Sequence, residues 1–183
     1  MTALIIIAVI VVLLLLYFVS TYNSLVVLRN KVKDQWAQID VVLKNRYDLI
    51  PNLVETVKGY AKHEKDTLEA VISARNKAVN ATSQEEEIKA AGEVTQALGR
   101  LFAVAESYPE LKANENFMDL QANLKEIEEK IRYARQFYND TVLTYKNKIE
   151  MFPSNIVAGI AGFKPEAFFE ASEDERKNVE VKF

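Results

Sequence analysis

Residues 3–43 read ALIIIAVIVVLLLLYFVSTYNSLVVLRNKVKDQWAQIDVVL, and two apolar patterns meet inside them. From Ala3 to Val19 the run is unbroken, 17 residues of mainly Ile, Val and Leu. A helix needs ~20 predominantly apolar residues to cross a bilayer, so the run spans one once Thr2, Ser20 and Thr21 sit at the interfaces. From Leu25 the apolar residues instead recur as Leu25, Leu28, Val32, Trp36, Ile39 and Leu43, in steps of three and four that mark one helical face. No breaker separates the two patterns. They are expected to form one rod from about residue 3 to 49, ~70 Å long at about 1.5 Å per residue. Pro51 is expected to stop it, because a proline pushes the preceding residue out of the α region and suits the first turn of a new helix.

The flanks of the run set its type and direction. A cleaved signal carries a basic leader, a shorter apolar core and small residues before the cut, whereas Tyr17 and Phe18 close this run and no Lys or Arg precedes it. A signal anchor is the expectation. Arg29, Lys31 and Lys33 follow it, so the positive-inside rule places the C-terminal side in the cytoplasm and Met1 and Thr2 outside. Tyr17, Phe18 and Tyr22 suit an aromatic belt at the inner interface.

Beyond Pro51 a second helix would use Leu53, Val57, Tyr60, Ala61, Leu68 and Val71 as its inner face and fade near Asn80. Ser83 with Glu86 matches a capping box and opens a third, through Ile88, Val94, Leu98 and Leu101 to about Glu106. Tyr108–Asn114, with Pro109, is the next break. Asn114 would cap the longest helix, whose seam reads Phe117, Leu120, Leu124, Ile127, Ile131, Ala134, Tyr138, Val142, Tyr145 and Ile149, near coiled-coil spacing. Short connections favour antiparallel neighbours, so the fourth helix returns to the membrane that the first one leaves.

That return places residues 152–163, FPSNIVAGIAGF, beside the bilayer: a short helix capped by Ser154, closed by Gly162 and apolar on most of its surface. Phe152, Ile156, Val157, Ile160, Phe163, Phe168 and Phe169 are its candidate contacts. The segment serves as a lid on the bundle, a membrane-docking element or a subunit contact. The whole is therefore all-α. Residues 1–21 form a transmembrane anchor, 22–152 an antiparallel bundle of about four long helices, 153–169 a membrane-proximal segment and 170–183 a charged tail. Val179, Val181 and Phe183 in that tail either dock as a short strand or hang free.

Composition closes off much chemistry. There are no cysteines among the 183 residues, which removes disulfides, thiolate metal sites, a cysteine nucleophile and lipid attachment at a cysteine. A net charge of −3 gives no general affinity for nucleic acid. The chain is basic between residues 22 and 65 and acidic beyond. His63-Glu64 begins like a zinc-protease motif, but Thr67 stands where the second histidine belongs and His63 is the single histidine. Glu85-Glu86-Glu87 reads as a solvated first turn favoured by the helix dipole, not as a cation site. No glycine-rich phosphate loop and no nucleophile elbow is present. Neither metal nor cofactor is expected.

The remaining polar residues of interest sit on seams. Arg46 continues the first seam, and Glu64 and Arg75 the second, eleven residues apart and so nearly on one face. Burial without partners would be costly, so they are expected to pair across helices, with Arg132, Arg135 or Tyr138 as candidates, and to fix helix register. Asp48 and Asn52, flanking Pro51, are expected to cap helix ends.

A resemblance supplements this reading. Tyr22-Asn23, Arg29, Val32, Trp36, Ile39-Asp40, Leu43, Arg46, the run 48–54 (DLIPNLV), Val57-Lys58-Gly59-Tyr60, His63-Glu64 and Ala74-Arg75 resemble one half of the LemA family pattern. The run 108–113 (YPELKA), Leu120-Gln121, Arg135, Tyr138-Asn139, Tyr145 and Phe152-Pro153 resemble the other half. Asn45 and Lys146 depart from that pattern, both off the main seams. The resemblance implies a membrane-anchored helical bundle with a short outer N-terminus and no particular reaction. It also implies links to bacterial membrane compartments and to neighbours such as membrane proteases. Together with the residues it points to a single-pass inner-membrane scaffold that self-associates or holds another membrane protein. A membrane-shaping role is the alternative, and an enzyme comes last because no nucleophile-base pair is found.

Overall fold

The apolar run does continue without a break into the amphipathic helix: in the computed structural model, which describes residues 1–169, α1 extends over Thr2–Tyr60. Then follow α2 (Lys65–Val79), α3 (Gln84–Ala105), a single turn α4 (Pro109–Lys112), α5 (Glu115–Glu150) and α6 (Ser154–Ala161). The described residues are helical with no strand, a long N-terminal apolar helix followed by a helical bundle. The tail at 170–183, with Val179, Val181 and Phe183, lies outside the described residues.

Two compact units divide the chain. One holds Met1–Gln38 with Arg135–Phe168, the other Ile39–Ala134 with, among described residues, Phe169. In the first, α1 and α5 run antiparallel: Trp36 meets Tyr138 edge-on at 5.4 Å, and seven residues back along α1, Arg29 faces Tyr145, seven residues further along α5. Leu25, Val32, Tyr138, Val142 and Tyr145 are buried between them, the face that the three-and-four spacing marks. After α6, Gly162 takes the left-handed conformation (φ 71°) that only glycine adopts without strain, and the Phe163 amide donates to the Ala158 carbonyl. The chain then turns back along α5, where the Tyr138 hydroxyl donates to the Ala167 carbonyl at 2.8 Å.

In the second unit the rest of α1 packs with α2, α3 and the start of α5. Successive elements reverse direction: Lys77 pairs with Glu93 across the α2–α3 turn, and Phe102 stacks edge-on with Phe117 across the α3–α5 connection. Its core is Ile39, Leu43, Ile50, Leu53, Val57, Val71, Leu101, Leu111 and Phe117.

Pro51 corrects one expectation. It does not end α1, which continues nine residues to Tyr60. An interior proline costs about 3 kcal/mol. Ile50, Leu53, Val54 and Val57 are all buried around it, and large apolar side chains stabilise by roughly 1.5–3 kcal/mol each when fully buried, so packing prevails. The proline also withholds the N–H that would bond the Tyr47 carbonyl; Arg75 Nε donates to that carbonyl instead, at 3.4 Å. Asp48 and Asn52 consequently lie inside α1 and cap nothing: Asp48 pairs with Lys44, and the Asn52 carbonyl accepts from Thr56. The second helix starts at Lys65, and Tyr60, placed inside by spacing, is exposed. Arg75→Ala is expected to cost about 1 kcal/mol, the typical worth of one hydrogen bond. The loss should shrink in a Pro51→Ala background, where residue 51 regains an N–H; paired thermal melts of the detergent-solubilised chain check this.

Three termini follow their local chemistry. Ser83 Oγ accepts from Glu86 N, while Glu86 reaches back to Thr82 N and Oγ1. Asn114 Oδ1 accepts from Phe117 N at the start of α5. At α6 Pro153 holds the N-cap position and Ser154 is the first helical residue, correcting its assignment as a cap. Its Oγ ties back to the α5 end instead, donating to the Lys148 and Met151 carbonyls at 2.7 and 2.9 Å.

Candidate functional site

Among the described residues one helix, α1, is long and apolar enough to cross a membrane, and in the first unit its residues from Leu4 to Leu16 are exposed. Just past that stretch the side chains draw together. Phe163 packs edge-on against Tyr22 at 5.7 Å, and the Arg29 guanidinium lies 5.1 Å over its ring. Burial raises the Tyr145 hydroxyl above its ordinary range, with Arg29 opposing the shift. Tyr138 is pushed up to about 12 by burial and then by Glu166. These groups are anchoring elements: they hold the α6 region against α1 and α5.

Around that contact the surface is apolar. Val157, Ala158 and Phe163 face inward and are buried; Phe168 is half-buried, with Lys146 over its ring, and Phe169, also buried, belongs to the second unit. Phe152, Ile156 and Ile160 point outward together with Met151. The contact surface expected from sequence is thus narrower than its seven residues, since Val157, Phe163 and Phe169 serve the chain's own packing.

The second unit has a polar centre. Arg46 is buried, its guanidinium donating to Thr95 Oγ1 at 3.0 Å and pairing with Glu128 at 2.8 Å. The next residue, Tyr47, is pushed up to about 12, first by burial and then by Glu87. Glu87 is itself raised to about 7 by burial and by the Asp40 carboxylate, to which its side chain hydrogen-bonds. Glu85 and Glu86 are exposed, but Glu87 turns inward, so the acidic run is not uniformly solvated. At the opposite turn Tyr108 donates to Glu64 Oε1 at 3.0 Å, and Asn114 donates to the Tyr60 hydroxyl. His63 is exposed.

The seam residues do meet other helices, with partners that spacing did not name. Arg46 takes Thr95 and Glu128, Glu64 takes Tyr108, and Arg75 takes the Tyr47 carbonyl. Arg132 lies over the neighbouring Tyr133 ring, and Arg135 is half-buried. Among the described residues no group of three His, Asp or Glu converges as metal ligands. The clefts are open grooves on helix surfaces, such as that between α2 and α3 lined by Asp66, Ser73, Lys77, Glu93 and Arg100.

A family model decides what this arrangement is. The LemA family model matches residues 35–183, most of the chain from Trp36 through α6. The chain belongs to the LemA family. Among similar LemA-family sequences, Magnetosome protein MamQ 2 of Paramagnetospirillum magneticum is 27% identical over 175 residues, covering 81% of this chain and 64% of the relative. Protein LemA of Metamycoplasma hominis is 25% identical over 165 residues, covering 90% and 75%. Magnetosome protein MamQ of Magnetospirillum gryphiswaldense is 25% identical over 174 residues, covering 81% and 64%. The chain thus spans under two thirds of the MamQ relatives' length. The LemA family model begins past the apolar run and past Arg29.

Proposed function

We propose that this LemA-family chain is a non-catalytic assembly protein of the cell membrane. The α1 stretch spans the inner membrane once, with the N-terminus outside and the bundle in the cytoplasm, where Arg29, Lys31 and Lys33 belong. The bundle then works by self-association or by holding another membrane protein, a membrane protease being one candidate. A single observation carries the reading: an exposed apolar stretch is continuous with a bundle whose seam residues Arg46 and Glu64 are engaged by partners on other segments. Residues occupied in that way hold register and leave little to perform chemistry.

The test is the native mass of the full chain in mild detergent and in nanodiscs, with crosslinking in cells. A discrete oligomer, or a reproducible membrane-protein adduct, is the expected result. A monomer that crosslinks to nothing overturns the assembly reading.

A further inference from the structure

The outward face of α6 is apolar without relief. Between Met151 and Gly162 no residue is charged, Phe152, Ile156 and Ile160 recur at four-residue spacing, and Phe152 is 80% and Ile160 70% exposed. Its inner face is already occupied by Val157 and Ala158, so the outer stripe is fixed in direction by packing.

The register of the first unit gives the height of this stripe. Trp36 packs on Tyr138, so continuing the antiparallel pairing to the end of α5 brings Glu150 level with Ser24, two residues from Tyr22. The far end of α6 returns to the same height, because Phe163 packs on Tyr22 and under Arg29. Both ends of α6 share one level on α1, so the helix lies across the α1 axis. Tyr22 is three residues past Val19, ~4.5 Å at about 1.5 Å per residue. A headgroup layer is roughly 5–8 Å deep, and Tyr22 falls within it when residues 3–19 span the hydrocarbon.

We propose that α6 is an interfacial helix lying in the plane of the membrane. Met151, Phe152, Ile156 and Ile160 enter the leaflet on the C-terminal side of the span, and its occupant is phospholipid. The chemistry is complementary. Lys148 lies in the last turn of α5, which ends at Glu150, Lys164 is exposed just after the stripe, and Arg29, Lys31 and Lys33 follow on α1, so basic groups outnumber the Glu150 carboxylate beside it. Apolar side chains at the glycerol level rimmed by lysines match an anionic leaflet. α6 then acts as a second foothold that stops the α1 rod from rotating and fixes its tilt. The proposal rests on the span assigned above.

The absence of native cysteine permits a direct test. Single variants Ile156→Cys, Ile160→Cys, Lys125→Cys and Leu13→Cys of the full chain are labelled with an environment-sensitive fluorophore. They are reconstituted in vesicles of phosphatidylcholine and phosphatidylglycerol. Positions 156 and 160 should be quenched by nitroxides on shallow lipid positions and be about fivefold less accessible to aqueous iodide than position 125, as expected for a face buried ~5–10 Å into the interface. Iodide quenching at 156 and 160 equal to that at 125 overturns the proposal. So does shielding from both quenchers, which marks a second copy of the chain as the occupant. Position 13 reports the span separately: if lipid nitroxides fail to quench it, the anchor reading itself falls.

Discussion

Arg46→Ala is expected to lower the stability of the full chain by about 3 kcal/mol, the low end of the roughly 3–5 kcal/mol seen when one partner of a buried pair is removed. The side chains of the pair are 4% and 43% exposed for Arg46 and Glu128 respectively, so Glu128 keeps part of its hydration when Arg46 is lost. Most of the cost is then the cavity left where the guanidinium and its stem bridged α1 to α3 and α5. Glu128→Ala is the inverse experiment: it removes the carboxylate that pairs with the buried guanidinium, and about 2 kcal/mol is expected after allowing for the exposure of Glu128. The double variant Arg46→Met with Glu128→Met should regain most of the loss, because apolar side chains of similar volume need no desolvation of charge. Thermal unfolding in mild detergent reads these differences. At about 2–4 °C per kcal/mol for a chain of this size, Arg46→Ala should melt about 6–12 °C lower. A melting temperature within about 2 °C of the parent would show that the pair holds nothing together.

The elements that sequence spacing defines well are those whose apolar faces decide them. The seams Leu25 to Leu43 and Phe117 to Ile149 lie inward because burial along one face is written in the three-and-four period. Gly162 closes α6 where a left-handed residue is required, a purely local demand. Pro51 misleads for the opposite reason: its local preference is real, but Ile50, Leu53 and Val57 outweigh it, and Arg75 from another helix satisfies the carbonyl it leaves free. Arg46, Glu64 and Arg75 stand out in the sequence as polar residues on seams. Glu128, Thr95 and Tyr108 do not, since a partner across helices is set by register between elements and leaves no trace in either period. The single turn α4 also escapes, because four residues are too few to show a period. The same limit hides the inward turn of Glu87 among three consecutive glutamates.

Glu87 should make the folded chain less stable as the pH rises toward neutrality. Its carboxyl is raised from the ordinary 4.5 to about 7, first by burial and then by the Asp40 carboxylate. The groups that face it from α1 are Asp40 and Tyr47. Between these two values the unfolded chain has released a proton that the folded chain still holds at Glu87. Stability therefore declines as pH rises through that window, and Glu87 adds nothing further above about pH 7 or below about pH 4.5. At about 1.36 kcal/mol per unit the shift corresponds to roughly 3 kcal/mol, and partial exposure to solvent cuts that by about half. Glu87→Gln keeps a donor for Asp40 and removes the titration. It also removes one favourable charge from the first turn of α3, worth roughly 0.5 kcal/mol, while Glu85 and Glu86 remain. The net expectation is a variant equal to the parent near pH 4.5 and about 1 kcal/mol more stable at pH 8, with a flatter profile between. Melting curves of both chains across that range decide the matter. A gain that is the same at pH 4.5 and pH 8 would assign the effect to packing, and no gain at pH 8 would mean that Glu87 is solvated and ionised like its neighbours. The chemical reason for the expected slope is that folding brings a carboxyl from the first turn of α3 against one on α1, with Tyr47 and the α1–α3 contact excluding the water that would otherwise hold both charges apart.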